Sequence, residues 1–173
     1  MSRALQSVGR AWVLGDFVEV NDLCRTQLFT RPVDELKTHL LEHTWPEFAS
    51  AVRPGDVLVG GRGFGVGGGH DHAHTALRAA GIGGIIATSF GWQFFRHAVD
   101  HALPLLVVDD LKGLAHGDKL EVDYAGGTIA NLTQGIERRG TPMSGIAMEI
   151  VRVGGLVNHI RERLQLPPLE PAT

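Results

Sequence analysis

The segment that most constrains the fold is GRGFGVGGGHDHAHTAL, which occupies residues 61–77. An apolar run at 57–59 precedes it, and six of the nine residues from 61 to 69 are glycine. The residues from about 72 to 80 have the pattern of a helix that ends at Gly81. A strand, a glycine loop and a helix in this order predict an α/β unit in which backbone amides lie beside a helix N-terminus.

Such a loop is suited to binding anions. The first amides of a helix have no partner inside the helix, and the helix dipole places positive charge at the same end. The glycines expected to let a carboxylate or a phosphate approach the main chain are Gly65, Gly67, Gly68 and Gly69. The loop lacks the Gly-Lys-Ser/Thr ending of a P-loop, and no acidic residue stands where a dinucleotide-binding fold needs its ribose partner.

Three histidines alternate after the glycines: His70, His72 and His74. If the backbone is extended there, the three side chains share a face and could bind one metal ion. If it is helical, residues two apart lie on different faces and cannot converge. His70 is expected at the entrance of the helix, where an imidazole adds charge or transfers a proton. Asp71 is a plausible N-cap.

The whole chain argues against several classes of partner. Its formal net charge is −3, whereas nucleic-acid binding requires a basic face. No run approaches the roughly 18 apolar residues of a membrane helix, and the first residues lack the apolar segment of a signal peptide. We therefore expect no nucleic acid, no membrane and a cytoplasmic location. The single cysteine, Cys24, rules out an internal disulfide and an iron–sulfur cluster held by this chain alone.

Length and pattern predict one compact domain, 1–173, with 166–173 as a loose tail. Strands are expected at 12–14, 57–59, 84–87 and 104–108, with a hairpin over 118–132 that turns at the glycines 126–127. Helices are expected at 33–43, 72–80, 90–101 and 145–164. The alternation of strands and helices predicts an α/β domain with a partly parallel sheet.

The loop and its surroundings resemble the small subunit of 3-isopropylmalate dehydratase, the swivelling domain of the aconitase superfamily. The family pattern is G-x-N-F-G-x-G-S-S-R-E-H-A, followed by Ala-Leu. The positions that match it without a gap are Gly61, Phe64, Gly65, Gly67, His72, Ala73, Ala76 and Leu77. Further similar stretches are GDFVEVNDL at 15–23, GIGGIIATSF at 81–90 and FFRHAVDHALPLL at 94–106.

This resemblance implies a swivelling β/β/α fold that lies over a separate large subunit. The large subunit of the family carries a [4Fe-4S] cluster, so this chain is expected to hold no cofactor itself. The implied reaction is that of a hydro-lyase in leucine biosynthesis, which dehydrates and rehydrates a small hydroxy-carboxylate. In the family, the loop supplies a serine base, backbone amides and an arginine that binds a substrate carboxylate.

The chain departs from the family pattern where these polar side chains act. Val20-Asn21 stands where the family has Thr-Asp, and Gly63 and His97 stand where it has asparagines. Gly68 and Gly69 replace the two serines, His70 replaces the arginine, and Asp71 replaces the glutamate. Glycine has no side chain that could act as a base. A neutral histidine cannot make the bidentate contact of an arginine.

Two interpretations stay open. In the first, the chain is an enzyme subunit in which His70, Asp71 and His72 supply the chemistry and the glycines hold a carboxylate. Arg31, which falls in the family's substrate-selecting loop, would then replace the lost arginine. In the second, the chain is a non-catalytic anion-binding or regulatory module that keeps the swivel fold. In either case, His97 and His101 are expected on a solvated helix face.

Overall fold

The computed structural model describes residues 5–68 and 70–169. Its strands are β1 (Gln6–Val13), β2 (Val57–Gly60), β3 (Gly84–Ala87), β4 (Leu105–Val107), β5 (Lys119–Asp123), β6 (Thr128–Asn131), β7 (Ile136–Arg139) and β8 (Thr141–Pro142). Its α-helices are α1 (Val20–Leu23), α2 (Val33–Leu36), α3 (Phe48–Ala51), α4 (His72–Ala79), α5 (Trp92–Asp100), α6 (Gly145–Val153) and α7 (Leu156–Arg163). Short 3-10 helices are Thr26–Leu28 and Lys37–His39.

The strands form one mixed sheet in the order β7-β6-β5-β1-β2-β3-β4-β8. The four central strands, β1 to β4, are parallel to one another, and the other pairs, β1–β5, β5–β6, β6–β7 and β4–β8, are antiparallel. Every residue of β2 and β3 is buried, as is usual for parallel strands covered by helices on both faces. The predicted α/β class and partly parallel sheet are confirmed, and so is the hairpin, which joins β5 to β6.

The single helix predicted over 145–164 is wrong. The structure has two helices, α6 and α7, separated by Gly154 (φ 96°) and Gly155 (φ 106°). A Cβ at Gly155 would lie 2.4 Å from the carbonyl oxygen of Asp100. The chain therefore turns sharply against the end of α5, and this close approach requires glycine.

The helix predicted over 33–43 is also interrupted. The structure has α2 followed by a 3-10 turn, and the backbone becomes extended at Leu40 and left-handed at Leu41 (φ 53°). The leucines at helical spacing, Leu36, Leu40 and Leu41, are all buried. Their pattern therefore indicated burial correctly, although the backbone that achieves it is irregular.

Several strands and helices begin or end at other residues than predicted. The strand expected at 12–14 begins six residues earlier, at Gln6, and the helix expected at 90–101 is α5, nine residues long. At the other end of the chain, the Asn158 side chain is hydrogen-bonded to the backbone of Leu169, at 2.7 and 3.1 Å. Residues 166–169 thus run back along α7, and 170–173 lie outside the described residues. Among the helices described, none has the length and apolar character needed to cross a bilayer.

Candidate active site

The glycine loop follows β2 and runs beside the early segment 15–20. Four amide–carbonyl bonds join the two: Gly61 to Gly15 at 3.1 Å, Phe17 to Arg62 at 2.6 Å, Gly65 to Val18 at 2.7 Å and Val20 to Val66 at 3.0 Å. An ion pair between Arg62 and Asp16, at 3.1 Å, closes the start of the loop. Hydrogen bonds from the Arg62 amide and guanidinium hold the pKa of the Asp16 carboxyl below its usual value.

In the first half of the loop, the backbone amides are already engaged. The Gly63 amide donates to the Ser89 hydroxyl at 2.8 Å, and the Gly65 amide donates to the Val18 carbonyl. A Cβ at Gly65, where φ is 77°, would lie 2.1 Å from the Phe94 ring. The anion contact expected at Gly65 is therefore corrected, because its amide already donates to the Val18 carbonyl. Glycine is required at this position because the Phe94 ring leaves no room for a Cβ.

In the second half, Gly67 and Gly68 are exposed and left-handed, with φ of 71° and 58°. Neither amide has an acceptor among residues 5–68 and 70–169. A Cβ at Gly68 would lie 3.2 Å from the Cβ of Val20. The glycine that replaces a family serine therefore faces the valine that replaces a family threonine. Gly69, the other serine position, lies outside the described residues.

His70 is exposed at the end of the loop and stacks on Phe29, with ring centroids 4.5 Å apart and planes 16° from parallel. Stacking covers one face of the imidazole and leaves its two nitrogens on the open edge. Phe29 was not among the site residues predicted from the sequence. Its position could have indicated a role in the site, because Phe29 lies two residues before Arg31 in the predicted substrate-selecting loop.

His72 begins α4 and is 3% exposed. Its Nε2 lies 3.0 Å from the Cys24 carbonyl, so this nitrogen donates, while Nδ1 is buried without a partner among the described residues. Burial raises the pKa of the Cys24 thiol to about 11. A catalytic role for His72 stays a prediction, and this geometry favours anchoring of the helix start.

Asp71 occupies the predicted N-cap position, but its side chain makes no capping hydrogen bond. Its carboxylate instead lies 3.0 Å from Nε2 of His101, the residue that follows α5. Partial burial raises the pKa of Asp71, but the charge and hydrogen bond of His101 outweigh it and leave this pKa below its usual value. The solvated face expected for His101 is thus corrected to a contact with the N-terminus of α4.

His74 is fully buried behind this pair, and its Nε2 donates to the Phe94 carbonyl at 3.1 Å. Burial, followed by the nearby charges of His101 and His97, lowers the pKa of His74 to about 3. The ring is therefore neutral at physiological pH.

The alternating histidines do not converge on one point. Because α4 begins at His72, the helical alternative applies, and His72 and His74 bind carbonyls of different elements. Within the described part of the chain, no group of three or more His, Cys, Asp or Glu residues is arranged to hold a metal ion.

Arg31 lies on the surface, with its Nε 3.7 Å from a Glu35 carboxylate oxygen. Its side chain is 58% exposed and therefore accessible to a small molecule. A contact between Arg31 and a substrate carboxylate stays a prediction.

Comparisons with known proteins agree with this fold. Residues 34–109 match the family described as Aconitase C-terminal domain. A 3-isopropylmalate dehydratase small subunit from Archaeoglobus fulgidus is 36% identical over 91% of this chain and 96% of its own. The homoaconitase small subunit of Methanothermobacter thermautotrophicus is 41% identical over 87% and 88%. A crystal structure of 3-isopropylmalate dehydratase from Methanocaldococcus jannaschii superposes with a TM-score of 0.88 at 29% identity, covering 92% of this chain and 96% of that one.

The sheet topology and the glycine loop thus define an aconitase-type swivel domain, as the sequence predicted. The chain belongs to the family of 3-isopropylmalate dehydratase small subunits, which are hydro-lyase subunits.

Proposed function

We propose that this chain works with an aconitase-like large subunit, which carries a [4Fe-4S] cluster, to dehydrate and rehydrate a small hydroxy-carboxylate in the cytoplasm. The observation that carries the proposal is the exposed half of the glycine loop. There, the amides of Gly67 and Gly68 are unoccupied by described residues, next to the exposed ring of His70. The names of the relatives, which are small subunits of 3-isopropylmalate dehydratase and homoaconitase, support the reaction class.

The residues of this chain do not fit an iron–sulfur cluster. Cys24 is the single cysteine and is buried, and its thiol is protonated at neutral pH because burial raises its pKa to about 11. One buried thiol cannot replace the several thiolates that such a cluster requires. The proposal therefore assigns the cluster to the partner and derives no step of this chain's chemistry from it.

The exposed loop amides would bind a substrate carboxylate. Two left-handed glycines without Cβ atoms let a carboxylate approach the main chain, and the N-terminus of α4 adds the positive end of its dipole. Gly69 is included in this binding segment on sequence grounds. Main-chain donors replace part of the family arginine's contact but not its charge. Arg31 is the proposed source of that charge, at a second carboxylate of the substrate.

His70 would then transfer the proton. With one face on Phe29, its imidazole edge is open to a substrate held at the neighbouring glycines. The imidazole accepts the proton from the carbon next to the carboxylate while the C–O bond of the adjacent carbon breaks and hydroxide leaves, which forms the double bond. Rehydration returns the proton and the hydroxide to the two carbons. Asp71 is less suited to accept this proton, because its pKa is low and its carboxylate is held by His101. Asp71 and His72 therefore position the loop in this proposal.

The test is turnover by the reconstituted enzyme, measured on a panel of hydroxy-dicarboxylates and hydroxy-tricarboxylates. We expect His70→Ala to lower kcat by at least about tenfold without changing the melting temperature. His43→Ala is the matched control, because His43 is an exposed histidine outside the loop (71% of its side chain). Full activity of His70→Ala would overturn its role as the base. Carboxylate binding without turnover in the wild-type complex would favour the non-catalytic module.

A further inference from the structure

We propose that Phe29 is the positioning residue for proton transfer by His70, because its ring holds the imidazole in the place from which it reaches the substrate. This inference rests on the proposed function, which makes His70 the base. It adds to that function a second residue for the same step. Phe29 touches no reacting atom in this account and acts only through His70.

The backbone that leads to His70 does not fix the imidazole by itself. Gly67 and Gly68 are exposed and left-handed, with φ of 71° and 58°, and neither amide has an acceptor among the described residues. Glycine loses more conformational freedom on ordering than any other residue, so a glycine-rich approach leaves the next side chain free to move. His70 also lies before the first residue of α4, His72. Another contact must therefore hold the ring.

The Phe29 ring makes that contact. The two ring centroids are 4.5 Å apart and the planes are 16° from parallel, whereas the His72 ring is 6.2 Å away and inclined at 62°. Within residues 5–68 and 70–169, the His70 ring nitrogens have no hydrogen bond or ion pair that would fix them instead. Stacking of two rings favours the stacked arrangement by about two- to tenfold beyond the effect of the area they cover.

Phe29 is itself held by a hydrogen-bonded turn. It follows the 3-10 helix Thr26–Leu28, and its amide donates to the Thr26 carbonyl at 3.1 Å. The Thr26 amide in turn donates to the Asn21 side chain at 3.0 Å, which ties the turn to α1. The ring that supports His70 therefore projects from an ordered segment.

The buried His72 fixes the distance between the two partners of the stack. Its Nε2 donates to the Cys24 carbonyl at 3.0 Å. Cys24 lies two residues before the turn that carries Phe29, and His72 lies two residues after His70. This hydrogen bond therefore joins the segment of one ring to the helix start beside the other.

The position of the imidazole matters for the proposed chemistry. A base must come within about 3 Å of the proton that it accepts, and a misplacement of about 1 Å can lower the rate about a hundredfold. The stack covers one face of the His70 ring and leaves its edge, with both nitrogens, open. Phe29 thus restricts the directions in which the base can work without blocking it.

The test is turnover by the reconstituted enzyme at saturating large subunit, with Phe29 replaced by an aliphatic or by another aromatic residue. We expect Phe29→Leu to lower kcat by about three- to tenfold, because the base is present but less often in place. KM should change by less than about twofold, and the melting temperature should not change, because Phe29 is 49% exposed. Phe29→Tyr is the matched control: it keeps the stacked ring and should keep kcat within about twofold of the wild-type value.

Two further measurements show whether Phe29 acts through His70. The double variant Phe29→Leu with His70→Ala should turn over no more slowly than His70→Ala alone, because the residue to be positioned is gone. In the isolated chain, the ring-proton NMR resonances of His70 should lie upfield in the wild type and in Phe29→Tyr, owing to the aromatic ring current. They should move downfield in Phe29→Leu.

The outcomes separate this inference from the proposed function. If the wild-type complex does not turn over any hydroxy acid, or if His70→Ala keeps full activity, the proposed base is wrong and this inference fails with it. If His70→Ala is impaired while Phe29→Leu keeps the wild-type kcat, the positioning role alone is wrong. The same follows if Phe29→Tyr is as slow as Phe29→Leu, or if the losses multiply in the double variant. A higher KM at unchanged kcat in Phe29→Leu would show that the ring binds substrate instead.

Discussion

The buried part of the glycine–histidine motif differs from its exposed part although both use the same two residue types. In the buried part, Gly65 packs against Phe94, and His72 and His74 donate to carbonyls. In the exposed part, Gly67 and Gly68 present amides, and His70 presents the edge of its ring.

The environment of each residue therefore decides its role in this motif. A buried imidazole whose Nε2 donates to a carbonyl links two elements of the fold, because its donor is satisfied within the chain. An exposed imidazole beside unoccupied amides is accessible to a substrate. We therefore expect changes in the buried part to reduce stability first, and changes in the exposed part to reduce activity first.

The largest effect is expected from Gly65→Ala. The added Cβ would overlap the Phe94 ring, 2.1 Å away, and would force alanine into a left-handed backbone with φ of 77°. Overpacking and backbone strain together should lower the free energy of unfolding by about 3 kcal/mol or more. Urea denaturation at neutral pH measures this loss.

Gly67→Ala is the control for this prediction. Among the described residues, the nearest atoms to its added Cβ belong to Glu19, at an ordinary contact distance of 3.7 Å, so the variant carries mainly the strain of the left-handed backbone, at φ of 71°. Its loss should be about 1 kcal/mol. Equal losses for both variants would show that the two parts of the loop do not differ in packing.

The pH dependence of stability should separate His74 from the exposed histidines. Burial lowers the pKa of His74 to about 3, below its ordinary value of 6.5, so the unfolded chain binds more protons between these values. Stability must therefore fall as pH decreases below about 6.5, by about 1 kcal/mol per pH unit from this group. His74→Leu should remove this part of the slope in urea denaturation between pH 6 and pH 4.

Other titratable groups near His74 also contribute to the measured change of stability with pH. Asp71, His97 and His101 contribute to its electrostatic environment, and they remain in the His74→Leu variant. An unchanged slope in His74→Leu would show that another group governs the acid sensitivity.

Much of the fold was predictable from the sequence because its signals are local. The buried runs of β2 and β3, the glycine pair between β5 and β6, and the matched positions of the loop all indicate their structures directly. The Phe64 and His72 matches pointed to the right family, which the comparisons confirm. The site residues of this chain stay predictions.

Other features depend on contacts that are distant in sequence. Gly155 ends the predicted long helix because of its approach to Asp100, and Gly65 is a glycine because Phe94 lies against it. The stacking of Phe29 on His70 joins residues 41 positions apart. No local pattern reports such pairs, so their roles emerge only from the folded chain.

The smallest effect is expected at the border of the two parts, in the Asp71–His101 pair. Asp71 starts α4 next to the exposed loop, and its side chain is 62% exposed, so solvent screens the contact. We expect Asp71→Asn to lower the free energy of unfolding by less than about 1 kcal/mol. A double-mutant cycle with His101→Asn should give a coupling of about 0.5 kcal/mol.

The activity of the same variants shows whether Asp71 belongs to the buried part of the motif or to the exposed part. If it only positions the loop, Asp71→Asn should lower kcat modestly, and His101→Asn should have a similar effect because both break one contact. A loss of more than about a hundredfold in Asp71→Asn, with near-normal activity in His101→Asn, would instead place the carboxylate among the reacting groups. The exposed part of the motif, which reduces activity when changed, would then include Asp71, and the buried part would begin at His72.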